Sequence, residues 1–121
     1  MSAKIELPHN HGNLCEDFLD HIPPKEDIAT VADALGQLGD PTRLRIFWIL
    51  CHCEECVTDI AAMMSMSSPA VSHHLRLLKN SGLITSHRDG KEMYYTAADS
   101  ELVHELHHTI EKIGHITCPK E

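Results

Sequence analysis

The chain has 121 residues, of which 42% are hydrophobic and 23% are charged, and its formal net charge is −8. This length suits one domain with a hydrophobic core and is short for two. No apolar run approaches the ~18 residues of a membrane span, and the first residues lack the apolar core of a signal peptide. We therefore expect a cytoplasmic protein that does not enter a membrane.

Cysteine and histidine are the unusual part of the composition. The chain has five cysteines and eleven histidines, more histidines than packing alone requires. In a protein that is not exported, cysteines are more often thiols than disulfides. Thiolates and neutral imidazoles are common ligands of transition metals. The composition therefore suggests metal binding without locating a site.

Two helices are predicted before the middle of the chain. Apolar residues recur at helical spacing from Lys25 to Leu38, and Gly39 follows as a stop. Asp40 is a suitable N-cap, and Pro41 stands at the first helical position, where proline is tolerated. The centre of this second helix is apolar on all sides, which predicts that it lies in the core.

The second half of the chain predicts two more helices, a hairpin and a last helix. A short helix over about residues 56–64 and a polar turn precede a longer helix over about residues 67–80. The strand-like runs LITSHR and EMYYTA are joined by Asp89-Gly90, a pair typical of tight hairpin turns. The last helix is predicted from about Asp99, as N-cap, to Gly114. Two helices, a short turn and a hairpin give the order of a winged helix-turn-helix.

The longer helix has the two faces of a DNA-recognition helix, which lies in the major groove with its N-terminal residues near base edges. Its apolar residues fall on one side and would anchor it to the core, while the other side is polar. The segment from Ser67 to Lys91 contains four basic residues and one acidic residue, which gives it a local charge of +3. An acidic chain can bind DNA this way because phosphate contacts act over short distances. The predicted contacts to double-stranded DNA are Ser67, Ser68, Ser72, His73, Arg76, Lys79, Arg88 and Lys91; the alternative is a solvated surface helix.

Three segments resemble the ArsR/SmtB family of metal-sensing repressors: GDPTRLRI, SSPAVSHHLRLLKNSGLI and RDGKEMYYT. The resemblance covers roughly residues 26–115, and its most specific part is PAVSHHLRLL. It implies a mainly α fold with a small β-hairpin wing, and a homodimer formed through the first and last helices. It also implies that an inducer, often a metal ion, releases the dimer from a palindromic operator.

The expected organisation has three parts. Residues 1–24 form a flexible N-terminal arm with a possible short helix. Residues 25–115 form the DNA-binding and dimerisation domain, and residues 116–121 form a tail. Cys118 lies in that tail and has no predicted role.

The first of two metal sites implied by the resemblance is built from thiolates. Thiolate-sensing members carry two cysteines, with one residue between them, at the start of the short helix. Cys56 matches the first cysteine, but Thr58 stands in place of the second. Cys53 could substitute, and Cys15 lies in a segment that resembles the N-terminal arm of cadmium and lead sensors. The helix dipole would favour the Cys56 thiolate. Three thiolates suit cadmium, lead or arsenite; the alternative is a pair of unreactive cysteines.

The second site lies on the last helix. Several polar residues, from Glu101 to His115, fall within roughly 80° of one another around the helix axis. By the resemblance, zinc sensors use positions 99, 101, 112 and 115, but Lys112 cannot ligate, so His104 or His108 must replace it. Nitrogen and carboxylate ligands from two subunits suit zinc, nickel or cobalt. The predicted ligands are Asp99, Glu101, His104, His108 and His115; the alternative is a solvated face.

The sequence therefore predicts a metal-responsive repressor, with the thiolate site narrowly preferred because of Lys112. One alternative keeps DNA binding but makes Cys53 and Cys56 a sensor of thiol oxidation or persulfides. Another is a metal-buffering or structural zinc protein that does not bind DNA. An enzyme is not expected, because no nucleophile is paired with a base and no glycine-rich phosphate loop is present.

Overall fold

The computed structural model describes residues 8–9 and 18–116. The helices are α1 (Lys25–Gln37), α2 (Pro41–His52), α3 (Val57–Met64), α4 (Ser68–Asn80) and α5 (Glu101–Gly114), and the strands are β1 (Glu55–Cys56), β2 (Ile84–Asp89) and β3 (Glu92–Ala97). One turn of 3-10 helix, Leu19–His21, precedes α1. The described residues up to Ala32 and those from Asp33 onwards form two compact units, and all the strands and helices α2 to α5 belong to the second.

Helices α2 and α4 begin at the caps that the sequence predicts. The Asp40 carboxylate accepts a hydrogen bond from the Arg43 backbone N–H at 2.9 Å, and proline occupies the first turn of α2. The Ser67 hydroxyl accepts from the Ala70 N–H at 3.3 Å at the start of α4. Each cap satisfies one of the backbone donors that a helix start leaves without a partner.

The cap of α5 differs from the prediction. Ser100, not Asp99, is the N-cap, and its hydroxyl accepts a hydrogen bond from the Val103 N–H at 3.2 Å. The Asp99 carboxylate instead lies 2.9 Å from Nε2 of His104. The prediction of Asp99 as the cap was therefore wrong by one residue, because the aspartate pairs with a side chain.

The predicted hairpin is present, and its turn lies one residue later than expected. Asp89 pairs with Glu92 at the end of the antiparallel strands β2 and β3, so Gly90 and Lys91 form the two-residue loop. Gly90 has a φ of +65°. A glycine at the first central position is typical of the type II′ hairpin turn, whose twist matches that of the strands.

A third strand was not predicted. The two-residue strand β1 pairs antiparallel with β3, with Glu55 opposite Tyr95 and Cys56 opposite Tyr94. The sheet order is β1-β3-β2, so β3 is its central strand. This pairing joins the segment between α2 and α3 to the hairpin.

The hydrophobic core of the second unit lies between α2, α3, α4 and the base of the hairpin. Helix α2 supplies three fully buried side chains, as its apolar centre predicts. The Thr96 hydroxyl on β3 also donates a hydrogen bond to the Leu50 carbonyl of α2 at 3.3 Å. The largest buried side chains are Phe47, Ile46, Leu50, Ile60, Leu75, Leu78, Leu83, Ile84 and Val71. The arrangement is the winged helix-turn-helix that the sequence predicts.

None of the helices in the described ranges has the length and apolar character needed to cross a membrane.

Candidate nucleic-acid interface and metal centre

Helix α4 has one buried face and one exposed polar face. Val71, Leu75 and Leu78 are at most 1% exposed and anchor the helix to the core. The predicted DNA contacts on this helix and at its cap are all exposed: Ser67, Ser68, Ser72, His73, Arg76 and Lys79. This is the placement that the sequence predicts for a recognition helix. Their contact with DNA stays a prediction.

The turn between α3 and α4 fixes how α4 is presented. Ser65 takes a left-handed conformation with φ of 53°, and its N–H donates to the Ala62 carbonyl at 3.3 Å. The Met66 N–H donates to the Ala61 carbonyl at 2.9 Å, and the Met66 side chain packs against the core. These bonds satisfy carbonyls that the end of α3 would otherwise leave without partners. The start of α4 is therefore held by backbone bonds and by an apolar anchor.

The wing is joined to α4 and carries the remaining basic residues. The Lys79 ammonium donates a hydrogen bond to the Ser86 hydroxyl of β2 at 2.6 Å. Arg88 and Lys91 are exposed near the tip of the hairpin. Exposed cations on α4 and on the wing are suited to phosphate contacts, and these contacts stay a prediction.

The two adjacent histidines of α4 have different surroundings. His73 is exposed, whereas Nδ1 of His74 lies 3.2 Å from a guanidinium nitrogen of Arg43. Arg43 also donates to the Gln37 carbonyl at 2.6 Å, so it holds α2 to the end of α1. Burial lowers the pKa of His74 below its usual value; Asp40 opposes the shift, and Arg43 and His73 add to it. His74 therefore belongs to the packing of α4 on α2.

The cysteines predicted as thiolate ligands lie in contrasting environments. The Cys53 thiol is exposed and donates a hydrogen bond to the Ile49 carbonyl at 3.3 Å. Partial burial raises the pKa of Cys53, and the carboxylate of Glu55 raises it further, so the thiol form is favoured. Cys56 is buried in β1, and its side chain makes no cap hydrogen bond to α3. Cys15 and Cys118 lie outside the described residues.

The predicted last-helix ligands are all exposed on or beside α5. Asp99 and His104 are the pair that the structure brings together, at 2.9 Å. His115 is the C-cap of the helix, with a φ of 52°. In the described part of one chain, no set of three ligand atoms at metal-binding distance includes any of the predicted residues, which are Asp99, Glu101, His104, His108 and His115.

A different group of three potential ligands comes together between α2 and α5. Nε2 of His52 lies 3.0 Å from Nε2 of His107 and 3.9 Å from a carboxylate oxygen of Glu111, and His107 lies 3.4 Å from that oxygen. In the described ranges this is the only group of three whose ligand atoms all lie within 4.8 Å of one another. The sequence pattern did not predict this group. The available signal was His107 four residues before Glu111, beside the apolar stripe of the last helix.

Comparison with known proteins places this fold in a family. The family model described as "Bacterial regulatory protein, arsR family" matches residues 40–86. The chain is 36% identical over 88 residues to the HTH-type transcriptional regulator NmtR of Mycobacterium tuberculosis (strain ATCC 25618 / H37Rv), and the match covers 73% of each chain. It is 41% identical over 73 residues to the transcriptional repressor SmtB homolog of Synechocystis, covering 60% of this chain and 55% of the relative. It is 38% identical over 79 residues to the cadmium resistance transcriptional regulatory protein CadC homolog of Staphylococcus aureus, covering 64% and 65%.

A solved structure supports the same assignment. The homodimeric winged helix-turn-helix DNA-binding domain Mb0332 of Mycobacterium bovis, described as a possible ArsR-family transcriptional regulator, matches with a TM-score of 0.67 and 28% identity, covering 77% of this chain and 88% of that one. The matched part of the chain spans little more than half the length of the SmtB homolog. The NmtR match, however, spans nearly three quarters of its relative. The chain belongs to the ArsR/SmtB family of bacterial regulatory proteins.

Proposed function

We propose that the chain is a metal-responsive transcriptional repressor. It binds double-stranded operator DNA as a homodimer and leaves the operator when a transition or soft metal ion such as zinc, cadmium or lead binds. The observation that carries the proposal is the exposed polar and basic face of α4, together with a wing that exposes Arg88 and Lys91. The names of two relatives, a transcriptional repressor and a cadmium resistance regulatory protein, support the direction of the response.

The DNA contacts divide by chemistry. Arg76 lies on the exposed face of α4, where a planar guanidinium can bond two acceptors on a guanine edge in the major groove. Arg88 and Lys91 lie on the wing, and Lys79 lies near the end of α4, so phosphates are their natural partners. Arg76 would therefore contribute sequence specificity, and the other cations would contribute affinity for any duplex.

Exposed apolar side chains on the first and last helices support a homodimer. On α1, Ile28, Val31 and Leu35 are each more than half exposed. On α5, Leu102 is 47% exposed and Ile113 is 77% exposed. Large apolar side chains clustered on a helix surface indicate an interface with another chain. A two-fold dimer would present two recognition helices to an operator of inverted repeats.

The predicted metal ligands remain part of the proposal, but the last-helix site is better supported than the thiolate site. A raised pKa of Cys53 and the burial of Cys56 oppose the thiolate site. The Asp99–His104 pair offers one oxygen and one nitrogen donor, which suits zinc, with further ligands to come from the partner subunit. A bound metal ion would supply a positive charge, which these side chains would hold in place. A coupling of about 1–3 kcal/mol between metal and DNA is sufficient for regulation.

The two alternatives are less well supported. A sensor of oxidants or persulfides needs an accessible thiol with thiolate character, whereas the pKa of Cys53 is raised and Cys56 is buried. A metal-buffering protein has no need for a helix with an exposed polar and basic face at the second position of a helix-turn-helix. The ArsR family consists of regulators, which also argues against enzymatic activity.

The test is selection of bound duplexes from a random DNA library by the full chain, followed by footprinting of the recovered sequence. We expect an inverted repeat with half-site centres about one helical turn apart. Lys91→Ala should weaken binding to all duplexes alike and reduce the salt slope by about 1. Lys112→Ala, at an exposed lysine of α5, is the matched control and should change neither. Metal binding without any salt-dependent binding to DNA would overturn the proposal in favour of a buffering protein.

A further inference from the structure

We propose that His52, His107 and Glu111 form a metal site within one subunit, and that it takes a borderline divalent ion such as zinc, cobalt or nickel. The site joins the end of α2 to the middle of α5. The proposed site rests on the geometry of its three ligands, whereas its role as the sensor rests on the proposed function.

The three ligand atoms have the spacing that a small cation requires. The two Nε2 atoms and the carboxylate oxygen are separated by 3.0, 3.4 and 3.9 Å. A triangle with these sides leaves a point about 2.0 Å from each atom, the usual bond length of zinc to imidazole nitrogen or carboxylate oxygen. The spacing of the three ligand atoms therefore fits a small divalent ion.

The ligands are held in place by regular structure. His107 and Glu111 are four residues apart on α5, so they share one face of the helix. The ring of His52 packs against Trp48, one turn earlier on α2, with ring centroids 4.4 Å apart. The side chains of His52, His107 and Glu111 are 21%, 23% and 16% exposed. The site is thus partly shielded from water and still open to an ion from solution.

The donor set selects the class of metal. Two imidazole nitrogens and one carboxylate oxygen are three ligands of the kind that zinc, cobalt and nickel accept. Cadmium and lead prefer thiolates, and neither Cys53 nor Cys56 belongs to this group. A cavity of about 180 Å³ borders His107 and is also lined by Asp99 and His104. Of the three ligands, His107 lines this cavity, whereas His52 and Glu111 do not. A tetrahedral ion held by the three ligands would take water or another ligand at its fourth position.

The position of the site gives it a means to affect DNA binding. His52 is the last residue of α2, directly before the segment that leads through β1 into the helix-turn-helix. His107 and Glu111 lie on α5, which carries the exposed apolar residues Leu102 and Ile113. An ion bound by both helices would fix the DNA-binding half against the helix proposed for dimer contact. The proposed release of the operator would follow from this restriction.

The experiment is a titration of the metal-free, reduced full chain with Co²⁺, followed by displacement with Zn²⁺. We expect Co²⁺ to bind with visible ligand-field absorption that Glu111→Gln reduces, and without a sulfur-to-cobalt charge-transfer band. Glu111→Gln keeps the shape of the side chain and removes a ligand, and His107→Gln removes another. Each should weaken Zn²⁺ affinity at least about 100-fold, because changes to groups behind the ligands already cost about 10–100-fold.

The matched control is His87→Gln. His87 also lies beside a carboxylate, since its Nε2 is 3.3 Å from Glu54. It is on the wing, however, and it does not belong to a group of three potential ligands in the described ranges. It should leave the Zn²⁺ affinity unchanged. Thermal melts with and without Zn²⁺ separate loss of the site from loss of the fold: Zn²⁺ should raise the Tm of the wild type and not that of Glu111→Gln. Equal Zn²⁺ affinity in wild type, Glu111→Gln and His107→Gln would overturn the site.

A DNA-release assay separates this inference from the proposed function. If Zn²⁺ releases DNA from the wild type and not from Glu111→Gln, both stand. If it releases DNA equally from both, the repressor function stands and the site is overturned as the sensor. If Co²⁺ and Zn²⁺ bind at His52, His107 and Glu111 but DNA affinity does not change, the metal site stands and the metal-responsive function fails.

Discussion

Helices α4 and α5 each carry two adjacent histidines and turn one of them inward, because neighbouring side chains on a helix point about 100° apart. On α4 the inward residue is His74, which lies 3.2 Å from the guanidinium of Arg43. On α5 it is His107, which meets an imidazole nitrogen of His52 at 3.0 Å and the carboxylate of Glu111 at 3.4 Å. A guanidinium repels a metal ion, whereas an imidazole and a carboxylate attract one. The inward histidine therefore contributes to packing in α4 and to the proposed metal site in α5. The residues that it contacts determine which of the two roles it has.

The two helices also differ in how firmly the single chain holds them. Helix α4 buries Val71, Leu75 and Leu78, while Val103 is the buried residue of α5. Helix α4 is thus fixed by the hydrophobic core of its own chain. Helix α5 is held less firmly by its own chain, so a partner subunit or a bound ion would stabilise its position more.

The largest expected effect tests this difference in anchoring. Leu75→Ala should lower the free energy of unfolding by about 2–5 kcal/mol, because the side chain is fully buried and its removal leaves a cavity. Leu102→Ala, at a half-exposed leucine of α5, is the matched variant and should cost much less in a dilute monomer. Chemical denaturation of both variants measures the effect. Equal losses would mean that α4 and α5 are anchored alike.

The next prediction concerns the outward faces. Arg76→Ala on α4 should weaken operator binding by about 1–3 kcal/mol if the guanidinium reads a base edge. Arg76→Lys keeps the charge but loses the two-pronged hydrogen bond, so it should restore binding to random duplexes more than binding to the operator. His108→Ala, at an exposed position of α5, should leave metal-free operator affinity unchanged. Anisotropy titrations with both duplexes check these results, and an unchanged operator affinity of Arg76→Ala would refute the recognition-helix assignment.

The smallest predicted effect is the pH dependence that His74 causes. Its pKa in the folded chain lies below the usual value of 6.5, chiefly because of burial. Asp40 raises the pKa, whereas Arg43 and His73 lower it further. As the pH falls below about 6.5, the unfolded chain takes up the proton first, so stability decreases until the pH reaches the folded pKa. Above pH 6.5 this contribution is constant. His74→Gln should flatten the stability curve in that window, and an unchanged curve would show that His74 is not responsible.

Helix α4, its exposed face and the hairpin could be predicted because their signals are local. The buried and exposed faces of α4 follow from helical periodicity within one segment. Asp40 and Ser67 are N-cap residues directly before α2 and α4, so each predicts the start of its helix. The hairpin follows from a glycine in a two-residue loop. Strand β1 gave no such signal, since it has two residues and its partner strand lies some 40 residues further along the chain.

The metal cluster could not be predicted because it is not local. His52 and His107 are 55 positions apart and meet only when α5 packs beside the end of α2. The helical pattern of the last helix predicted a polar face through His104, His108 and His115, and the structure leaves that face exposed. Which histidine turns inward depends on the helix that packs against it, and periodicity within α5 carries no information about that neighbour.

The most direct test of a metal-responsive repressor with its sensor between α2 and α5 is the Zn²⁺ affinity of the full chain, measured with and without saturating operator DNA. Linkage requires that DNA weaken Zn²⁺ binding by the same factor by which Zn²⁺ weakens DNA binding, on the order of 5–150-fold for a coupling of ordinary size. We expect this factor in the wild type and in His87→Gln, and its loss in Glu111→Gln. A Zn²⁺ affinity that operator DNA leaves unchanged in the wild type would contradict the account.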